Sequence, residues 1–190
     1  MKTERIERVR AALRAQGLTQ MIVCDPKSVW YLTGVAVEPY ERLLALYLPI
    51  EGEPVLFLNS LFNVPNPPCK AVWHTDTDAP VAQIAATVDA EKPLGIDKEW
   101  PAKFLIPLME AHPAMKVVLA SDCVDDCRAC KDAEEQALMR EASRINDAVN
   151  EAAKHYIKAG MTEREVAEFI DAQFRAHGCE GPSFTTIVSF

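Results

Sequence analysis

Apolar residues recur along this chain in two rhythms, and the change between them divides it. Ile6, Val9 and Leu13 stand at helical spacing ahead of Gly17, so the opening segment reads as an amphipathic helix with a glycine stop. Met21 to Cys24 is a short apolar run closed by Asp25-Pro26, the pattern of a buried strand and a turn. Leu43 to Leu48 and Val55 to Leu58 flank Pro49-Ile50-Glu51-Gly52-Glu53-Pro54, which predicts an antiparallel hairpin. Ala71 to His74 adds another strand. Asp78 can cap a helix carrying Val81, Ile84, Ala85 and Val88, with Pro80 tolerated in its first turn. Leu94 to Ile96 reads as a strand, and Pro101 opens a helix bearing Phe104, Leu105 and Leu108 that Pro107 should kink or interrupt. Lys116 to Ala120 is a further buried strand. Strands alternating with helices, one hairpin among them, predict an α/β domain with a mixed sheet layered with helices over 1–128.

From 129 to 190 the pattern is different. Asp132 with Glu135 forms a capping-box pair. Behind it Leu138, Ala142, Ile145, Val149, Ala152 and Tyr156 define one long helix with a continuous apolar stripe. Gly160 stops that helix. Thr162 and Glu165 form a second capping box, Val166, Phe169, Ile170 and Phe174 give the next helix its apolar face, and Gly178 ends it. Phe184 to Phe190 is β-prone. Two helices and one strand make no sheet, and an unpaired strand leaves amides and carbonyls without partners. The expectation is an incomplete second domain.

Composition narrows the partners. The chain of 190 residues is 49% hydrophobic and 25% charged, ordinary for a globular protein. A formal charge of −8 with no basic run disfavours nucleic acid. No apolar stretch is long enough to span a bilayer and Met1 to Arg10 resembles no secretory signal, so a cytoplasmic protein with free thiols is expected.

Little in these residues announces chemistry. Cys123, Cys127 and Cys130 share one helix face by spacing, where three thiolates could bind zinc. No fourth ligand is evident, and the same spacing suits a small apolar face packing inward. His74, His112, His155 and His177 form no HExxH motif, and His112 and His177 fall near predicted helix ends, where a cation is favoured. Asp76 and Asp78 read as loop and cap residues. Serine-nucleophile, nucleoside-triphosphate and dinucleotide motifs are missing.

The motifs resemble a known family in their order. "GLTQMIVCDPKSVWYLTG" follows the opening helix, then come "LLALYLPIEGEPVLF" and "LGID". "CRACKDAEEQALMREASRINDAVNEAAKHYIKAGMTEREVAEFI" and "GPSFTTIVSF" complete the series. Together they resemble the N-terminal domain and the start of the catalytic domain of creatinase, Xaa-Pro dipeptidase (prolidase) and aminopeptidase P. The resemblance implies a creatinase-type N-terminal domain followed by the first helices and strand of an α+β "pita-bread" domain. It also implies a homodimeric hydrolase of proline-containing peptides using two divalent metal ions, often manganese or cobalt. In the family the five metal ligands follow the strand that here runs to Phe190, so neither metal ligands nor catalytic residues are assigned within residues 1–190. Phe184 and Ile187 match the family's "F-x-x-I" strand, which lines the substrate site. The resemblance further implies that the loop Phe62 to Pro68, or Trp73, could gate substrate across a dimer. Two other readings share the fold: a creatinase-like C–N hydrolase, and a non-catalytic dimerisation or binding module.

Overall fold

The computed structural model describes residues 1–190 and falls into two compact units, Met1–Cys130 and Lys131–Phe190. In the first unit the helices are α1 (Thr3–Ala15), α2 (Pro26–Thr33), α3 (Pro80–Ala85), α4 (Ala102–Ala111) and α5 (Asp122–Ala129). The strands are β1 (Gln20–Val23), β2 (Ala45–Pro49), β3 (Val55–Asn59), β4 (Lys70–His74), β5 (Leu94–Ile96) and β6 (Val117–Leu119). They form one mixed sheet in the order β4-β3-β2-β1-β5-β6. β2 runs antiparallel to β1 and β3, while β3–β4, β1–β5 and β5–β6 are parallel. The expected hairpin is present, with Tyr47 opposite Val55 and Ala45 opposite Phe57.

Both faces of this sheet are covered, which is why its strands are continuous apolar runs rather than alternating ones. Met21, Val23, Leu46, Leu48, Leu56 and Leu58 point to one side and pack with Ile6, Val9 and Leu13 of α1, Val29 and Leu32 of α2, and Cys123 and Val124 of α5. Their neighbours Ile22, Ala45, Val55, Phe57, Leu94 and Ile96 point to the other side, against Ile84 of α3, Leu108 of α4 and Trp100. Gly95, in the middle of β5, is required by close approach. A Cβ there would lie 3.1 Å from the Ala120 Cβ and 3.3 Å from the Gln20 carbonyl oxygen.

Four local expectations change. Asp25-Pro26 starts a helix rather than a turn: the Asp25 carboxylate accepts from the backbone of Lys27 and Ser28, Pro26 takes the first helical position, and Gly34 closes α2 at φ 81°. Asp78 does not cap α3, whose N-cap is Ala79; its carboxylate turns back to Thr75, accepting from the backbone N–H and the hydroxyl. α4 runs through Pro107 without interruption. β6 is a half-buried edge strand rather than a buried one, with Leu119 66% exposed.

The loop Phe62 to Pro68 belongs to the crossover joining the parallel strands β3 and β4, and Phe62 and Val64 pack on the core. At the carboxyl ends of β1 and β5, Asp97 is buried and accepts from the backbone N–H groups of Cys24, Asp25 (2.9 Å) and Glu99 (3.0 Å). Burial pushes its pKa up, an effect the three donors oppose. Asp25 in turn receives Arg128 of α5 at 3.1 Å, so the sheet, α2 and α5 meet in one polar knot. Burial acts to raise the Asp25 pKa, but Ser28, the Lys27 and Ser28 amides and Arg128 outweigh it and hold it below the usual aspartate range.

Two outcomes follow for stability. Asp97→Asn removes one of two acceptor oxygens and turns an amide NH2 toward backbone donors, which should cost about 1–3 kcal/mol by urea unfolding. Because the Asp25 pKa is lowered in the fold, its ionised form stabilises the native state above the unfolded pKa. That contribution fades as pH falls through the lowered value. Asp25→Ala should therefore cost about 1 kcal/mol near neutrality, and the gap from the parent chain should close below about pH 4 in unfolding at several pH values.

Candidate functional site

The second unit is a helical hairpin with a tail. Both capping boxes form: Asp132 and Glu135 start α6 (Ala133–Tyr156), and Thr162 and Glu165 start α7 (Glu163–Ala176). Between them Gly160 takes φ 93°. Val149 and Ala153 of α6 bury against Val166 of α7, and Tyr156 stacks on Phe169 with ring centroids 3.8 Å apart. Leu138 and Met139, at the start of the stripe, remain exposed.

Residues 184–190 do not form the expected strand. The reason is the one anticipated for an unpaired run: no other strand lies within 131–190 to complete a ladder. The segment is instead tied to α7. The Thr186 hydroxyl donates to Asp171 at 2.5 Å and the Phe190 amide donates to Glu163 at 2.9 Å.

This arrangement creates a groove of about 600 Å³. Its floor includes Ile145 and Val149 of α6 and Ile170 and Phe174 of α7, and its rim includes Phe184 and Ile187. Three apart on a regular strand, these two side chains would point to opposite faces. Released from strand geometry, they share one groove, at 72% and 79% exposure. Its walls are mainly apolar, the chemistry of a site that selects by shape.

A smaller pocket of about 340 Å³ lies in the first unit between Arg42, His74, Asp76 and Lys103. Its polar groups are already matched to one another. Arg42 grips Asp76 with two bonds of 2.9 and 2.8 Å, and Asn59 donates to Asp76 at 2.8 Å. Buried His74 lies 3.1 Å from the Leu43 carbonyl oxygen, and Lys103 donates to the Glu41 carbonyl. The Arg42 guanidinium beside Asp76 holds that carboxyl below the usual carboxylate range. This pocket fixes the loop entering β2 and leaves few groups free for a ligand.

No group of three or more His, Cys, Asp or Glu side chains is placed to hold a metal ion. Around the tail, Asp171 is engaged by Thr186, and Glu151 is paired with Lys154 and His155. The residues present therefore do not fit a two-metal centre. Cys123, Cys127 and Cys130 are buried, half-buried and exposed in turn, and they likewise form no group placed to hold a metal ion. His112 and His177 stand at the C-caps of α4 and α7.

The creatinase/prolidase N-terminal domain family matches residues 5–130, more than half of the chain. The chain belongs to that family. Metallopeptidase family M24 matches residues 137–190. An uncharacterised peptidase of Staphylococcus epidermidis is 27% identical over 190 residues, covering 98% of this chain and 54% of the relative. Among solved structures, dipeptidase PepE from Mycobacterium ulcerans superposes with a TM-score of 0.85 at 26% identity, over 96% of this chain and 51% of that one. A Pyrococcus horikoshii dipeptidase gives 0.80 at 27% identity, over 95% and 52%. A Thermococcus sibiricus prolidase at 23% identity, with a TM-score of 0.85 over 97% and 53%, shares the fold. This creatinase/prolidase family chain spans about half the length of the curated relatives it matches. No helix in it is long and apolar enough to cross a membrane.

Phe184 and Ile187 carry the family's motif spacing, whereas Thr186 and Asp171, which hold the segment bearing them, have no such signal. Both are ordinary polar residues, and nothing in their spacing marks the pairing. Because Phe184 and Ile187 are mostly exposed, Phe184→Ala and Ile187→Ala should each shift the unfolding free energy of this chain by less than about 0.5 kcal/mol. Chemical denaturation checks this, and a larger loss would mark them as core residues.

Proposed function

We propose that this chain supplies the N-terminal half of a metal-dependent peptidase that hydrolyses peptide bonds next to proline, of the Xaa-Pro dipeptidase or aminopeptidase P type. The observation that carries this reading is the order of the two family matches, a creatinase/prolidase N-terminal domain followed directly by the beginning of a metallopeptidase domain. Dipeptidase relatives at 26% and 27% identity support it.

The complete enzyme on this reading is a cytoplasmic homodimer with two divalent cations, manganese or cobalt, and it acts on proline-containing peptides. The metal ligands on this reading are those that the family resemblance places after Phe190, and residues 1–190 offer no cluster suited to a metal. The role of this chain is to build one wall of the substrate site. Phe184 and Ile187 present apolar surface beside a groove, which suits a pyrrolidine ring better than a charged side chain. Bonds before proline are tertiary amides, so shape rather than an amide N–H contact must provide recognition.

The test uses the complete enzyme. Hydrolysis of a Xaa-Pro dipeptide with added Mn²⁺ or Co²⁺, lost on chelation, is the expected outcome. Metal-independent cleavage of a guanidino compound would move the protein to the creatinase branch, and no turnover of either would leave a binding module. Within an active enzyme, Phe184→Ala should raise KM for the dipeptide about tenfold, equivalent to about 1.4 kcal/mol. Unchanged kinetics would remove Phe184 from the substrate wall.

A further inference from the structure

The end of α5 carries a feature that peptide hydrolysis does not use. Cys127-Arg128-Ala129-Cys130 is a C-x-x-C sequence, the spacing of thioredoxin-like dithiol motifs. All six cysteines are free thiols in the structure. The three on this segment have different surroundings. Cys123 is buried, and its burial pushes the thiol up to about 11, so it stays protonated and unreactive. Cys127 is half-buried: burial raises its pKa, the Arg8 guanidinium opposes that, and Asp126 and Cys130 add to the rise. Cys130 is exposed.

The backbone grades them in the same order. The Cys127 carbonyl accepts from the Tyr31 hydroxyl at 3.1 Å, and that hydroxyl accepts from Arg8, so α1 and α2 both hold Cys127 in place. Cys130 has left the helix, at φ −90° and ψ 97°, and its N–H reaches the Asp126 carbonyl only at 3.4 Å. Residues three apart on an intact helix have Cβ atoms about 5–6 Å apart, whereas a disulfide needs about 3.5–4.5 Å. The missing distance falls on Cys130, the residue free to supply it.

We propose that Cys127 and Cys130 are a reversible redox pair, converted by a hydroperoxide into a disulfide that closes the last turn of α5. In the first step the Cys130 thiolate attacks the peroxide O–O bond. Sulfur takes one oxygen to become a sulfenic acid, and the other oxygen leaves as water or an alcohol after gaining a proton. In the second step the Cys127 sulfur attacks the Cys130 sulfur, the S–O bond breaks, and water leaves with the Cys127 proton. The two sulfurs together lose two electrons, and the peroxide gains them. A small dithiol reverses the bond by exchange.

The experiment treats the native chain with hydrogen peroxide, blocks the remaining thiols and digests with trypsin. Cleavage after Arg128 separates the two cysteines, so a bridge joins the peptide ending at Arg128 to the short peptide Ala129 to Lys131. The expected result is a mass loss of two hydrogens, appearance of that linked pair, and its disappearance after a dithiol. Cys123→Ser should keep the linked pair. Cys127→Ser should abolish it and leave Cys130 carrying added oxygen, and Cys130→Ser should abolish it outright. Persistence of the linked peptide in Cys127→Ser would mean that Cys123 is the partner, overturning the pairing. So would a bridge to a second copy. Oxygen added at Cys130 of the parent chain without linkage, or no change under peroxide that oxidises a free-thiol control, would overturn the proposal itself.

Discussion

The first unit is organised around one buried carboxylate. Asp97 sits where the parallel strands β1 and β5 end, and it accepts backbone donors from the turn that leaves β1. A buried charge is costly unless such donors surround it, and that requirement fixes the turn's path. With the turn fixed, Asp25 is aimed to cap α2 and to receive Arg128 from α5. The ends of two strands and the placement of two helices thus depend on one side chain. Lys98 and Asp125, paired at 2.5 Å, extend the same network over the surface.

Around that knot the sheet is held by two-sided burial. Alternate residues of β1, β2 and β3 feed two separate cores, so a one-residue slip in register would exchange the helices each side chain meets. Gly95 adds a second lock, since only a residue without Cβ lets β5 approach Ala120 and the Gln20 carbonyl. The second unit has no comparable lock. Its two helices bury Val149, Ala153 and Val166 between them, while Leu138 and Met139 stay open and residues 184–190 lie as an irregular strap.

This contrast explains the chemistry each unit offers. The polar residues of the first unit are consumed in holding loops, as in the Arg42–Asp76–Asn59 set, and serve architecture. The groove of the second unit is mainly apolar and rimmed by exposed aromatic and aliphatic side chains. The C-x-x-C segment lies at the last turn of the first unit, where a helix ends and backbone hydrogen bonding loosens.

The six strands of the sheet, most of the helices, the hairpin and both capping boxes are legible in the sequence alone. Each depends on local signals, namely apolar periodicity, a cap residue or a proline at a helix start. It also carried the family motifs, and with them Phe184 and Ile187. α2 was legible in principle, from Asp25, Pro26 and Gly34, but an Asp-Pro pair signals a turn equally well, and only burial of Val29 and Leu32 decides between them. Tertiary structure alone settled the rest. Parallel pairing of β3 with β4 and of β1 with β5 joins segments whose sequences do not encode their neighbours. The Asp97 clasp spans more than 70 residues of chain to reach Cys24. The fate of residues 184–190 was likewise decided by surroundings. Their β-prone side chains satisfy strand propensity, but a strand exists only where another backbone is present to pair with it.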